Sequence, residues 1–250
     1  GLGYVDNQSS YNEDSNLTDL YLYYNDQYEK TSIFTTVSFD NTDDFYNARE
    51  GMRAALNVEF SQLDGDDYNA TFYDGYTDSM IKTNLKVGFY YGLEDWIDYD
   101  LILRLKGRAT HISRDENKKL PVGEKLFMGG IGSVRGYDSY SLSPYTGDAE
   151  NRYLVGGTTR ASGSIEASVP LSEAAKMRLA FFYDYGYIGY DSNEFEGAVI
   201  SENDITRSST GVVLEWQSGF GPINLVFAYP LDEQTGDRTS VFEFSMGTRF

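Results

Sequence analysis

Apolar and polar residues alternate one by one along most of this chain, in runs separated by polar stretches. The clearest run sets Ile81, Thr83, Leu85, Val87, Phe89 and Tyr91 against Lys82, Asn84, Lys86 and Gly88. Successive side chains of a β-strand point to opposite faces, so period two predicts a strand with one apolar and one polar face. Similar runs set Ile33, Val37 and Phe39 against Thr36, Ser38 and Asp40, and Met52, Leu56, Val58 and Phe60 against Arg53, Asn57 and Glu59. Leu101, Leu103 and Leu105 then oppose Arg104, Lys106 and Arg108. After residue 160, Ile165, Ala167 and Val169 oppose Ser164, Glu166 and Ser168, and Leu179, Phe181 and Tyr183 oppose Arg178, Phe182 and Asp184. Further strands are predicted at 212–216, 223–229 and 242–250. With 2–5 at the start that makes about ten, and a shorter strand-like patch sits at 20–24.

The connections alternate in length. Long ones fall at 6–30, 61–79, 113–159, 188–206 and 231–239, shorter ones at 41–50, 93–98, 171–175 and 218–221. Long loops at one end and short turns at the other are the mark of an outer-membrane barrel. A soluble sandwich has no reason to keep loop length in step with strand parity, and it must bury its apolar face under a second layer. The expected fold is therefore all-β, a transmembrane antiparallel β-barrel with a long inward-folding loop. On two neighbouring strands Lys82, Lys86, Arg104, Lys106 and Arg108 share the polar face, which in a barrel is the lumen. They read either as an anion-selectivity ring or as charges offset by Asp40, Glu59 and Glu215.

Composition narrows the function. No apolar run approaches the roughly 20 residues of a membrane helix, which says nothing of spanning strands of about 9–11 residues. The 22 Tyr, 15 Phe and 25 Gly against 5 Pro suit strands joined by polar loops. A net charge of -19 argues against a nucleic-acid partner. Cysteine is absent and histidine occurs once, at His111, which reads as structural; no thiolate chemistry or multi-histidine metal site is available. No Ser/His/Asp arrangement, phosphate loop or metal cluster is legible, so no catalytic residue, metal or cofactor is expected, and an enzyme is the least favoured reading. The acidic stretches 64–67 and 191–196 match no calcium-loop spacing and read as solvated. The chain opens on a strand-like GLGYV and reads as a mature or truncated piece.

The most distinctive stretch is 126–137, LFMGGIGSVRGY, within the longest loop. Gly129, Gly130, Gly132 and Gly136 surround Arg135, which lies between Val134 and Tyr137. Such glycines permit tight turns or close approach to a wall. A connection this long is functional or disordered, and its density of glycine and aromatics favours order. The alternation points Glu166 and Asp184 of successive strands into the lumen, where a guanidinium can fork between them by charge-assisted hydrogen bonds. A solvent-exposed arginine, or two carboxylates arranged for acid/base catalysis, are the alternatives. On the last strand Phe242, Phe244 and Phe250 suit an aromatic girdle. Gly247 either weakens local pairing or makes room for a neighbouring side chain.

LFMGGIGSVRGY resembles the loop motif of the BamA/TamA superfamily of outer-membrane assembly factors, the bacterial surface antigen family. Three more stretches follow in the family's order. FFYDYG at 181–186 is similar to its F-x-D-x-G strand, GFGPINLVFAYPL at 219–231 to its penultimate strand, and 242–250 to its closing strand. The likeness covers the whole chain, most strongly from residue 122 onward. It implies a sixteen-stranded barrel preceded by periplasmic POTRA domains. Residues 1–250 would be the C-terminal portion of that barrel domain, with 113–159 as a plug loop and no POTRA domain in this chain. The resemblance implies the same pairing of Arg135 with Glu166 and Asp184. It also implies a closing strand that serves as an assembly signal and a seam between first and last strands that opens sideways. The expected function is insertion of β-barrel proteins into the bacterial outer membrane, without ATP. Expected partners are outer-membrane lipid and lipopolysaccharide, unfolded β-barrel clients, and assembly-complex lipoproteins reached through the N-terminal domains. A two-partner-secretion pore and a passive porin or adhesin are the alternatives.

Overall fold

The computed structural model describes residues 1–8, 27–45, 47–65, 77–115, 118, 120–147, 152–189, 200–202 and 204–247. The patch at 20–24, the acidic residues at 66–67 and 191–196, and Phe250 lie outside the described residues.

Ten strands form one antiparallel sheet: β1 (Leu2–Gln8), β2 (Gln27–Asp40), β3 (Glu50–Gly65), β4 (Ser79–Gly92), β5 (Ile102–Arg114), β8 (Thr159–Ser172), β9 (Met177–Gly189), β11 (Asp204–Ser218), β12 (Gly221–Pro230) and β13 (Phe242–Met246). Each interior strand pairs with the wall strand before and after it, β5 joining β8 across the long loop. Three short strands, β6 (Tyr145–Gly147), β7 (Arg152–Leu154) and β10 (Ile200–Glu202), make a separate small sheet. The wall sheet has two edges, β1 and β13, and no ladder joins them among the described residues.

Several strands run further than the alternation predicts. Strand β2 starts at Gln27 rather than Ile33, β3 continues to Gly65, and β11 starts at Asp204. Outward positions there are polar, among them Glu29, Thr31, Gln62, Asp64 and Thr206, so the apolar signal stops while backbone pairing continues. At the other end, the connection at 93–98 holds a single helical turn, α1 (Glu94–Ile97), which the sequence reading missed.

The outer face is apolar and open: Leu85, Phe89, Leu105, Ile165, Phe181 and Phe227 are all exposed. A patch that size is unfavourable in water and suits a lipid surroundings. The expectation of a polar inner face holds only in part. Toward the long-loop end, Met80, Ile112, Ile188 and Ile205 of the wall pack in one cluster with Leu126, Met128, Val134, Tyr137 and Leu142 of the loop. A second inner cluster joins Ala180, Phe182, Val213, Val226 and Ala228 to Ile131. Each such buried aliphatic contributes about 1.5–3 kcal/mol. The loop therefore sits inside the wall on a hydrophobic core of its own.

Candidate functional site: an arginine junction inside the wall

Strands β8 and β9 lie side by side with Ser164 opposite Asp184 and Glu166 opposite Phe182. Inward-facing positions recur every second residue, so Glu166 and Asp184 become diagonal neighbours on the lumen face. Arg135 reaches both. Its Nε donates to Asp184 Oδ2 at 2.7 Å and Nη2 to Asp184 Oδ1 at 2.6 Å, a two-pronged contact. Nη1 donates to Glu166 Oε1 at 2.9 Å, and Nη2 also donates to Ser164 Oγ at 2.8 Å. The Arg135 backbone N–H adds a bond to Asp184 Oδ2 at 3.1 Å. The guanidinium carbon lies 3.6 Å from the centroid of the Phe182 ring, a cation–π contact. The residue is only 4% exposed.

A wider network balances the charge. Glu166 also accepts from Lys106 Nζ at 2.9 Å and lies 3.5 Å from Arg104 Nη1, which pairs with Glu215 at 2.6 Å. Arg104, Lys106 and Arg135 thus stand against Glu166, Asp184 and Glu215, three positive charges against three negative.

The rest of the motif sets the loop's path. Val134 is fully buried, and a Cβ on Gly186 of β9 would lie 2.4 Å from Val134 Cγ2 and 2.5 Å from Met128 Sδ. Gly186 is thus the notch that receives the loop. Gly129 has φ +111°, and a Cβ there would sit 2.2 Å from the Asp138 carbonyl oxygen. Gly130 and Gly136 also have positive φ, and the Gly132 carbonyl accepts from Arg108 Nη1 at 3.0 Å. Tyr137 is buried, bridges Thr239, and donates its hydroxyl to Asp232 Oδ1 at 3.1 Å. Burial, then the Asp232 charge, pushes that phenol above its usual pKa.

A second anchor was not legible in the sequence. Glu124, in the loop, is buried; it accepts from Lys30 Nζ of β2 at 2.9 Å and Tyr28 Oη at 3.1 Å, and lies 3.7 Å from Lys82 Nζ of β4. The loop is pinned on two sides, through its cation to β8 and β9 and through its carboxylate to β2 and β4. At the short-turn end, Asp100 accepts from Arg178 Nη1 at 2.7 Å and lies 3.0 Å from Arg49 Nη2. Burial alone would raise the Asp100 pKa, but the Arg178 hydrogen bond and charge, with Arg49, hold it below the ordinary carboxylate value.

On the closing strand, Phe242 and Phe244 face outward and are exposed, with Phe242 5.3 Å from the Phe227 ring. Gly247 follows β13 at φ +116°, and an added Cβ would meet no described residue within 4 Å. The reading of a glycine making room for a neighbour is corrected: the backbone angle, not crowding, asks for glycine. Glu243 faces inward beside the Gly136 backbone, and its buried Oε2 has no hydrogen-bond partner among the described residues. Of the proposed counter-charges, Glu215 meets Arg104, and Glu59 stands directly opposite Lys82 and in its field while also pairing with Lys30; Asp40 pairs instead with Arg53, a cation outside the five. His111 is exposed, with Nδ1 2.8 Å from Thr159 Oγ1. No group of three His, Cys, Asp or Glu suited to a metal occurs among the described residues.

An antiparallel wall with an apolar outside, and a loop bolted to its inside by buried ion pairs, defines a membrane-spanning β-barrel protein with an internal loop. The model of the Omp85 superfamily domain matches residues 1–250. The chain is 31% identical over 178 residues to the outer membrane protein assembly factor BamA of Nitratidesulfovibrio vulgaris, covering 70% of this chain and 21% of that one. It is 31% identical over 155 residues to the protein of the same name from Neisseria meningitidis serogroup B, covering 53% and 19%. The chain thus spans about a fifth of the length of these relatives. In three dimensions it resembles the crystal structure of BamA from Haemophilus ducreyi lacking POTRA domains 1-3, with a TM-score of 0.65 and 19% identity over 88% of this chain and 41% of that one. The chain belongs to the Omp85 superfamily, and its place is the bacterial outer membrane.

Proposed function

We propose that this barrel segment belongs to a machine that inserts β-barrel proteins into the outer membrane. The observation that carries the reading is the likeness to relatives named as assembly factors. The protein acts without chemistry of its own: a client strand pairs with an exposed edge of the wall, because unpaired backbone in lipid is very costly. The clients are unfolded outer-membrane barrels. Lipopolysaccharide surrounds the wall, and lipoproteins of the assembly complex dock on N-terminal domains of the whole protein. The Arg135 junction braces the wall beside the strands that lead to the closing edge. A lumen occupied by the loop weighs against a passive solute pore.

The test is charge reversal in the full-length protein. Arg135→Glu alone, then with Asp184→Arg, is scored by the amount of folded outer-membrane porins in cells that depend on the variant. Loss with the single change and partial recovery with the double supports the reading, with Glu166 left facing the new glutamate. A single variant that is itself folded yet assembles clients at the normal level would overturn it.

A further inference from the structure

The five lumen cations of β4 and β5 divide into two kinds. Lys82, Arg104 and Lys106 have carboxylate partners; Lys86 and Arg108 have none among the described residues, and neither does Arg160 of β8. Lys86 and Arg108 stand directly opposite each other in the β4–β5 register, and Arg160 lies opposite Thr110, two positions along. Lys86 feels the positive charge of both arginines, and Arg160 feels first the Tyr140 phenol at the cavity wall and then the positive charge of Arg108. Like charges placed directly across a strand pair are destabilising. The arrangement persists in a chain with 39 acidic residues against 20 basic ones.

Loop carbonyls orient these arginines without neutralising them: Arg108 Nη1 donates to Gly132 O at 3.0 Å and Arg160 Nη1 to Phe127 O at 2.7 Å. Between wall and loop the three cations border a cavity of about 470 Å³ that also carries Asn84, Ser133 and Ser139 and, among the described residues, no carboxylate. That is the size of a small-molecule site. Its net positive charge sets it apart from the neighbouring Arg135 network, which is balanced.

We propose that this cavity binds a phosphoryl dianion, as inorganic phosphate or a sugar phosphate, between Arg108, Arg160 and Lys86. Guanidinium forks match phosphate oxygens two at a time, and the lysine adds a point charge. The hydroxyls and amide give a sugar its hydrogen bonds. The cavity opens on the lumen side of the wall, so the ligand is soluble rather than the headgroup of a lipid whose chains occupy the outer face. This goes beyond the assembly reading and does not depend on it.

The experiment is calorimetric titration of the full-length protein in non-ionic detergent with glucose 6-phosphate, inorganic phosphate and glucose. Saturable binding of either phosphate, none of glucose, and at least tenfold weakening in Arg108→Gln/Arg160→Gln is the expected result. Removing mutually repelling charges should leave the barrel folded, which its heat-modifiable gel mobility reports; Lys86→Gln is a milder variant with the same expected direction. Lys176→Gln, which removes a cation outside the cavity, should bind as the unmodified protein does. No saturable binding at millimolar phosphate, or equal weakening by Lys176→Gln, would overturn the site.

Discussion

Arg135 shows what lets a guanidinium live away from water. Burying one charge costs several kcal/mol unless geometry and hydrogen bonding are nearly complete, and here four side-chain bonds and an aromatic face surround it. Truncation leaves two carboxylates behind, so Arg135→Ala is expected to cost about 3–5 kcal/mol, read from urea midpoints in detergent. Arg135→Lys keeps the charge but loses the planar fork, and its midpoint should fall between the two. Gly186→Ala tests the notch: with Val134 and Met128 already too close for a Cβ, about 1–3 kcal/mol of overpacking is expected. Asp100 sets a pH dependence. A carboxyl whose pKa is lower in the folded state adds stability above its unfolded value, about 3.9, and that stability disappears as pH falls through the folded value. Asp100→Asn should therefore destabilise by about 1–2 kcal/mol at pH 7 and by progressively less as the medium is acidified below pH 4, in paired urea titrations.

Among the elements, the long loop is the one whose role depends on distant residues. Its Arg135 half was legible because glycines crowd around a single cation and because strand parity aims Glu166 and Asp184 inward. The Glu124 half was not: in PVGEKL the glutamate looks like any loop carboxylate, and its partners Lys30 and Lys82 are remote in sequence. The strands were legible wherever lipid-facing positions are apolar and were lost where those positions turn polar. The inner core escaped notice for a related reason. At Ala180 and Phe182 both faces of β9 are apolar, so alternation fades where the strand is covered on both sides. The two-sided anchoring gives an element-scale test. Glu124→Gln should expose the start of the loop to limited proteolysis while the 126–137 stretch stays protected. Uniform protection across the loop would show that the glutamate anchor contributes nothing to holding it.

For the whole molecule, the decisive asymmetry lies between the two faces of one sheet. Ile165 is 59% exposed on the outside while its neighbour Glu166 is 1% exposed within. An arginine on the lipid face near the midplane costs about 2–4 kcal/mol, so Ile165→Arg should reduce folding into vesicles by that amount. An unchanged folding yield would place that face of the strand in water.

Two pins on one loop have a mechanical consequence. A strap fixed at β2 and β4 on one flank and at β8 and β9 on the other holds the intervening arc at a set curvature, like a cross-brace inside a hoop. A braced arc does not bend first. Any strain that lipid or a client places on the wall is passed along to β1, the edge strand outside both pins and both inner clusters, so compliance is concentrated at that edge.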